Sequence, residues 1–267
     1  MNALNPAWPT TGKIVIGMLH LPALPGSPLA RQKISDIREH LRRDADALAK
    51  GGVHGLMMEN FGDVPFFPDR VPAHVVAHMT ALAADVRARI DLPLGINVLR
   101  NDGRSALAVA HAAGADFIRV NVLCGARVAD QGLIQGIAHD LLRERVMLGA
   151  THIKIFADVD VKHSAPLAER LLEDEVDDLV HRALADAIVV SGAGTGKGTD
   201  PQKARRVKAA APDKALFIGS GITTENVADF AGSADGFIVG STFKKDGHAT
   251  GPVERRRVQD LMEKVTN

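Results

Sequence analysis

Eight short apolar runs recur along this chain with segments of helical period between them, and that alternation leaves few folds open. The runs are KIVIGML (13–19), HGLMMEN (54–60), LPLGINVL (92–99), DFIRVNVL (116–123), THIKIFADV (151–159), DAIVVSG (186–192), ALFIGSG (215–221) and DGFIVGS (235–241). They are mostly continuous and rich in Ile and Val, as strands buried on both faces are. Between them, Ile37, Leu41, Ala45 and Leu48 recur three and four apart until Gly51-Gly52 stops the stripe. Leu167, Leu171, Val176, Leu179 and Val180 form a second stripe. TDPQKARRVKAAAPD opens with Asp200 as an N-cap ahead of Pro201, and TTENVADFAG reads as a helix from Thr223 or Thr224 to Gly232. Parallel strands joined by helices need right-handed crossovers, and eight such units close a barrel. The competing architecture is a doubly wound open sheet. No second composition zone appears, so 1–267 reads as one α/β domain, a single-domain (β/α)8 TIM barrel with its core from about 13 to about 265.

Charge narrows the ligand. Lys+Arg and Asp+Glu both number 32, and no long run of either sign occurs. Nucleic acid and anionic membrane surfaces are therefore not expected partners, and an anion must be caught by a few groups in a pocket. Cys124 is the one cysteine, so no internal disulfide forms and a reducing compartment is expected. Its ordinary reading is a small loop or buried thiol. The N-terminal stretch lacks the pattern of a secretory signal, and no apolar run approaches the roughly 20 residues that span a bilayer. The expectation is a cytoplasmic protein with no integral membrane segment.

In a barrel, function collects at the C-terminal strand ends. Here those ends carry His20; Glu59, Asn60 and Asp63; Asn97, Arg100, Asn101 and Asp102; Arg119 and Asn121; Asp158, Asp160, Lys162 and His163; and Ser191. Each has a structural reading: a core histidine, a carboxylate paired with Arg119, loop-fixing amides. Gathered at one rim, they point to catalysis. Glu59 or Asp158 can serve as general base and His20 or His163 as acid, with Arg119 and Asn121 stabilising an oxyanion beside Asn97. Lys154 fits a Schiff-base lysine only if it points inward, against a competing outward orientation. No ligand spacing demands a cofactor, although the carboxylates and histidines leave a divalent metal open.

The seventh and eighth runs both end in glycine and serine: Gly219, Ser220, Gly221, then Gly240, Ser241. Loops in these positions, with a helix N-terminus, bind phosphate in many barrels, because bare backbone lets N–H groups reach the oxygens. Lys244 or Lys245 would add charge. SGAGTGKGT (191–199) fails as a Walker A loop: Ser191 and Gly198 stand where Gly and Ser/Thr are required. It reads as a sixth βα loop.

GMLHLPALPGSP, ENFGDVPF, GINVLRND, ADFIRVNV, VKHS, SGAGTG and GSGITTENV…ADGFIVGSTFKKDG, in this order from about Lys13 to Gly247, resemble the BtpA/SgcQ family. The resemblance implies a phosphate-binding TIM barrel. It places Glu59, Asn60 and Asp63 in one motif, Asn97, Asn101 and Asp102 in another, and Arg119, Asn121, Lys162 and His163 in two more. The family is named for a cyanobacterial protein linked to photosystem I biogenesis, and other members occur in settings that suggest carbohydrate metabolism. Two classes of function follow. One is an enzyme acting on a small phosphorylated sugar or related metabolite, by lyase, isomerase, epimerase or glycoside-cleaving chemistry. The other is a non-catalytic assembly factor that uses the barrel as a scaffold. Self-association through outer helices, common in such barrels, makes a homo-oligomer the expectation.

Overall fold

The computed structural model describes residues 3–192 and 198–266. The SGAGTGKGT reading rests largely on 193–197, outside the described residues.

The chain alternates strands and helices: β1 (Ile14–His20), α1 (Ile34–Gly51), β2 (Gly55–Glu59), α2 (Ala73–Arg87), β3 (Leu94–Asn97), α3 (Gly103–Ala113) and β4 (Phe117–Val120). Then come β5 (Ala126–Ala129), β6 (Gly132–Gln135), α4 (Ala138–Met147), β7 (Lys154–Val159), β8 (Ser164–Pro166), α5 (Leu172–Asp177) and β9 (Ala187–Val190). It ends with α6 (Pro201–Ala210), β10 (Ala215–Ile218), β11 (Gly236–Val239) and α7 (Arg255–Thr266). Eight strands close a parallel barrel in the order β1-β11-β10-β9-β7-β4-β3-β2. All eight expected runs supply its staves.

The stripes explain how the helices seat. Ile37, Leu41, Ala45 and Leu48 are all buried, and Gly52 at φ 95 ends α1 with its N–H on Leu48 and Ala49 carbonyls. Asp200 Oδ1 accepts from the Gln202 N–H at 2.8 Å and Pro201 opens α6. Asp200→Ala is expected to cost about 1 kcal/mol, read as a lower urea midpoint at unchanged slope.

Two expectations need correction, and a third point goes beyond them. The stripe from Leu167 starts too early: Leu167 and Leu171 are exposed and only Val176, Leu179 and Val180 pack inward. No α-helix follows β10, where the TTENVADFAG segment makes only a 3-10 turn at Val227–Phe230. Thr223 does not cap a helix, and its N–H goes to the Asn226 side chain at 2.8 Å. The third is an addition. β6, β5 and β8 form a small antiparallel sheet over the fourth and fifth barrel strands, in loops that periodicity leaves featureless.

Inside the barrel, side chains at every second position form layers. The N-terminal end is filled by Phe117, Phe156 and Phe217 with Trp8, whose ring lies 5.7, 6.0 and 6.1 Å from theirs. Trp8 is 3% exposed and donates from Nε1 to the His54 carbonyl at 2.9 Å. The N-terminal segment therefore stoppers this end of the barrel.

Candidate active site

The next inward layer, at the C-terminal strand ends, changes from apolar to polar. Period two carries β1 from Met18 to His20, β2 from Met57 to Glu59, β4 from Phe117 to Arg119, β7 from Phe156 to Asp158 and β10 from Phe217 to Gly219. The sheet register sets His20 beside Glu59, Glu59 beside Asn97 and Asn97 beside Arg119.

Two hydrogen-bonded groups make up this layer. In the first, Asn97 Nδ2 donates to Glu59 Oε2 at 2.6 Å, leaving Oε1 toward His20 Nε2, 4.0 Å away. His20 Nδ1 meets the Ala249 carbonyl at 2.9 Å. A carbonyl only accepts, so Nδ1 carries the proton and Nε2 keeps its lone pair in the neutral ring. Burial pushes His20 below the usual imidazole range, against the pull of Glu59. Its ring stacks on Phe61 at 4.4 Å.

In the second group, Arg119 grips Asp158 with two donors, Nε to Oδ2 at 3.0 Å and Nη2 to Oδ1 at 2.7 Å. Asn121 Nδ2 adds a bond to Oδ2 at 2.7 Å, and Ser191 Oγ reaches Oδ1 at 3.3 Å. Burial works against the charged guanidinium, but Asp158 holds Arg119 above its ordinary range. Asp158 is thereby saturated. Of the two carboxylates read as bases, only Glu59 keeps an oxygen facing open space.

That space is a cavity of about 30 Å³ lined by Glu59, His20, Arg119 and Lys162 together with Gly219–Gly221, Gly240 and Ser241. Both glycine-serine ends thus face the carboxylate. Their bareness is steric: a Cβ on Gly240 would stand 2.8 Å from the His20 ring, and one on Gly219 3.1 Å from Arg119 Nη2. Among the described residues, no hydrogen bond reaches the amides of Gly221 and Ser241. Ser220 is partly committed, since its Oγ accepts from the Gly192 N–H at 3.1 Å. With no α-helix between β10 and β11, the expected anion site would have no macrodipole behind it. The cations that line the cavity are Arg119 and Lys162.

Other expected residues fall elsewhere. Lys154 begins β7 at the far end of the barrel, 4.0 Å from Asp186, and is no Schiff-base lysine in the cup. Lys244 is fully buried against Asp44 at 2.5 Å, so it does not reach an anion. His163 is exposed at φ 57 and lines a neighbouring cavity with Ser164, Ser191 and Lys203. Asp160 is tied to Lys203 and Arg127. Asn60, Asp63, Asn101 and Asp102 fix loops. Asn60 accepts from the Leu99 N–H, Asp63 from Leu24, Asn101 from Val122, and Asp102 from Val71 and Ser105. Cys124 is half-buried, and burial lifts its thiol to about 11. Among the described residues no group of three or more His, Cys, Asp or Glu stands together as metal ligands would.

Lys162 was visible in the VKHS motif but carried no assigned role. Left-handed backbone at Asp160 (φ 48) and His163 (φ 57) folds this loop over the cup. Arg100 Nη2, crossing from the β3 loop, donates to the Lys162 carbonyl at 2.5 Å. Burial and then the Arg119 charge push the Lys162 ammonium below the usual lysine range.

Among the described residues, two side-chain oxygens here lack partners. Asn97 Oδ1 and Asn121 Oδ1 are buried with no hydrogen bond, on residues 1% and 2% exposed. Such an atom costs about 1–3 kcal/mol unless something donates to it. Neither residue lines the cavity between Glu59 and the glycine-serine ends.

The histidines also set an acid limit on the fold. His54 Nδ1 accepts from the Val15 N–H at 3.0 Å, and burial lowers both His54 and His20. Unfolded imidazoles take up protons near pH ~6.5, and the folded ones only at lower pH. Between those values the unfolded chain binds more protons, so stability must fall as pH drops. The urea midpoint is expected to decline from about pH 7 to about pH 5, and less so in His54→Gln. A flat profile would contradict the neutral histidines.

Comparison with known proteins agrees with this architecture. The profile of the BtpA family matches residues 11–267. A protein of Thermococcus kodakarensis with no assigned function is 45% identical over 94% of both chains. The photosystem I biogenesis protein BtpA of Synechocystis is 42% identical over 93% of this chain and 86% of its own. Among solved structures, the N-(5'-phosphoribosyl)anthranilate isomerase of Pyrococcus furiosus superposes with a TM-score of 0.57 at 12% identity, covering 96% of this chain and 99% of that one. That likeness is one of fold. No helix among the described residues is long and apolar enough to cross a membrane.

Proposed function

Starting from the fact that this chain belongs to the BtpA family, we propose that it is an enzyme acting on a small phosphorylated sugar or related polyol. The observation that carries this reading is a single cavity with the uncommitted oxygen of Glu59 on one side and the Gly219–Gly221 and Gly240–Ser241 backbone on the other. The phosphate would lie on the bare amides, with Arg119 and Lys162 supplying charge.

Glu59, held by Asn97, would take a proton from a carbon beside a carbonyl. The cations would stabilise the enolate oxygen, and neutral His20 would receive or return the proton through Nε2. This favours isomerisation, epimerisation or aldol cleavage. Glycoside cleavage asks for a second free carboxylate, which Asp158 does not offer. The cavity has room for only a water or two, so the Phe61 and Ala249 loops must part to admit a substrate.

The test is a thermal-unfolding panel of small sugar phosphates. A ligand at about 100 times its Kd should add roughly 2.7 kcal/mol. A panel in which nothing stabilises the fold beyond inorganic phosphate would refute the reading. A second reading, an assembly factor, is favoured by the 42% identity to the Synechocystis biogenesis protein. It requires that Glu59→Gln leave the biological role intact.

A further inference from the structure

Lys162 has an arrangement that phosphate binding alone does not explain. It lines the same cavity as Glu59, Arg119 and the glycine-serine backbone. Yet among the described residues its ammonium forms no hydrogen bond and no ion pair within 4 Å. The nearest carboxylates are engaged: Asp158 by Arg119 and Asn121, and one oxygen of Glu59 by Asn97. Its backbone, by contrast, is fixed from a different strand by Arg100. A tethered main chain with an unpaired amine beside a second cation is poor design for a static counter-ion. It is the setting of a nucleophilic lysine.

We infer that Lys162 is an imine-forming amine, and that the substrate is a phosphorylated aldehyde or ketone whose carbonyl carbon lies against Nζ. The inference rests on the anion site proposed above, with Arg119 then supplying its positive charge alone and the iminium taking the place of the Lys162 ammonium. The lone pair of the neutral amine attacks the carbonyl carbon, and the carbonyl oxygen takes up a proton. The carbinolamine then expels that oxygen as water, leaving an imine that is protonated to an iminium. Carbon, nitrogen and oxygen balance as amine plus carbonyl giving imine plus water, with no oxidant required. The iminium withdraws electrons from the neighbouring carbon, where Glu59 Oε1 removes a proton. Burial and the Arg119 charge lower the basicity of Lys162, which raises its share of neutral amine above that of an ordinary lysine.

The probe is glycolaldehyde phosphate, the two-carbon phosphorylated aldehyde, with cyanoborohydride to reduce any imine to a stable secondary amine. Peptide mass spectrometry reads the site, and a thermal scan with the probe alone reads binding. At about pH 7, labelling of Lys162 should exceed that of every other lysine, because a lowered pKa leaves more free amine. It should vanish in Lys162→Arg, which keeps the charge; circular dichroism of that variant and of Lys162→Met verifies folding. Stabilisation by the probe with no preference for Lys162 overturns the imine and leaves the anion site standing. Neither stabilisation nor labelling overturns both. Labelling of Lys162 without stabilisation shows a reactive amine but removes the seated phosphate, and so overturns the proposed substrate.

Discussion

Glu59→Gln is expected to lower turnover by about 10²–10⁴-fold, the usual contribution of a positioned base, without loosening the fold. The glutamine oxygen still accepts from Asn97 Nδ2, which now meets Glu59 Oε2 at 2.6 Å. Its amide group turns toward the cavity, where a proton acceptor is needed. The variant should therefore bind the phosphorylated ligand found by thermal scanning nearly as well as the parent. It should fail only in chemistry, so kcat falls and the thermal shift persists. If kcat stays within a few-fold of the parent, Glu59 is not the base and the cup works by another route. The first assay to run is exchange of a substrate carbon-bound proton with deuterated water, since it detects proton abstraction whatever the final product.

Asp158→Ala should produce the largest loss of stability. Its partner, Arg119, is 3% exposed and has no other carboxylate in bonding contact. Removing the anion strands a buried guanidinium, with an expected cost of about 3–5 kcal/mol. It appears as a lower urea midpoint. The paired replacement Arg119→Met with Asp158→Val should recover most of that loss, because two apolar side chains close to the pair in summed volume dispense with both desolvation penalties. The double variant should still bind no anion. A well-folded single Asp158→Ala would mean that water enters the cup freely, against the burial of this layer.

The strands were legible because burial on both faces writes itself as unbroken Ile/Val runs, and the polar ends could be read directly from where those runs stop. Phase two then brings His20, Glu59, Asn97, Arg119 and Asp158 to one layer. The partnerships were not legible. Nothing local says that Arg119 saturates Asp158 across the barrel or that Lys244 is consumed by Asp44, 200 residues away in sequence. The same holds for the ENFGD and NVLRND motifs. Their amides and carboxylates look catalytic in sequence, yet Asn60, Asp63, Asn101 and Asp102 spend their atoms on loop backbone. Lys162 was named without a role because its place in the cup depends on left-handed turns at Asp160 and His163. The absent helix after β10 was misread because TTENVADF carries good capping residues over too short an apolar stretch.

Trp8 decides the traffic. With indole and phenyl rings filling one end, a substrate of the proposed reaction would enter at the polar end and its products would leave by the same route. For a cleavage reaction, the fragment without phosphate is bound by fewer groups and departs first. The anion-bearing fragment stays behind in the seat the next molecule needs, so it should inhibit competitively while its sibling does not.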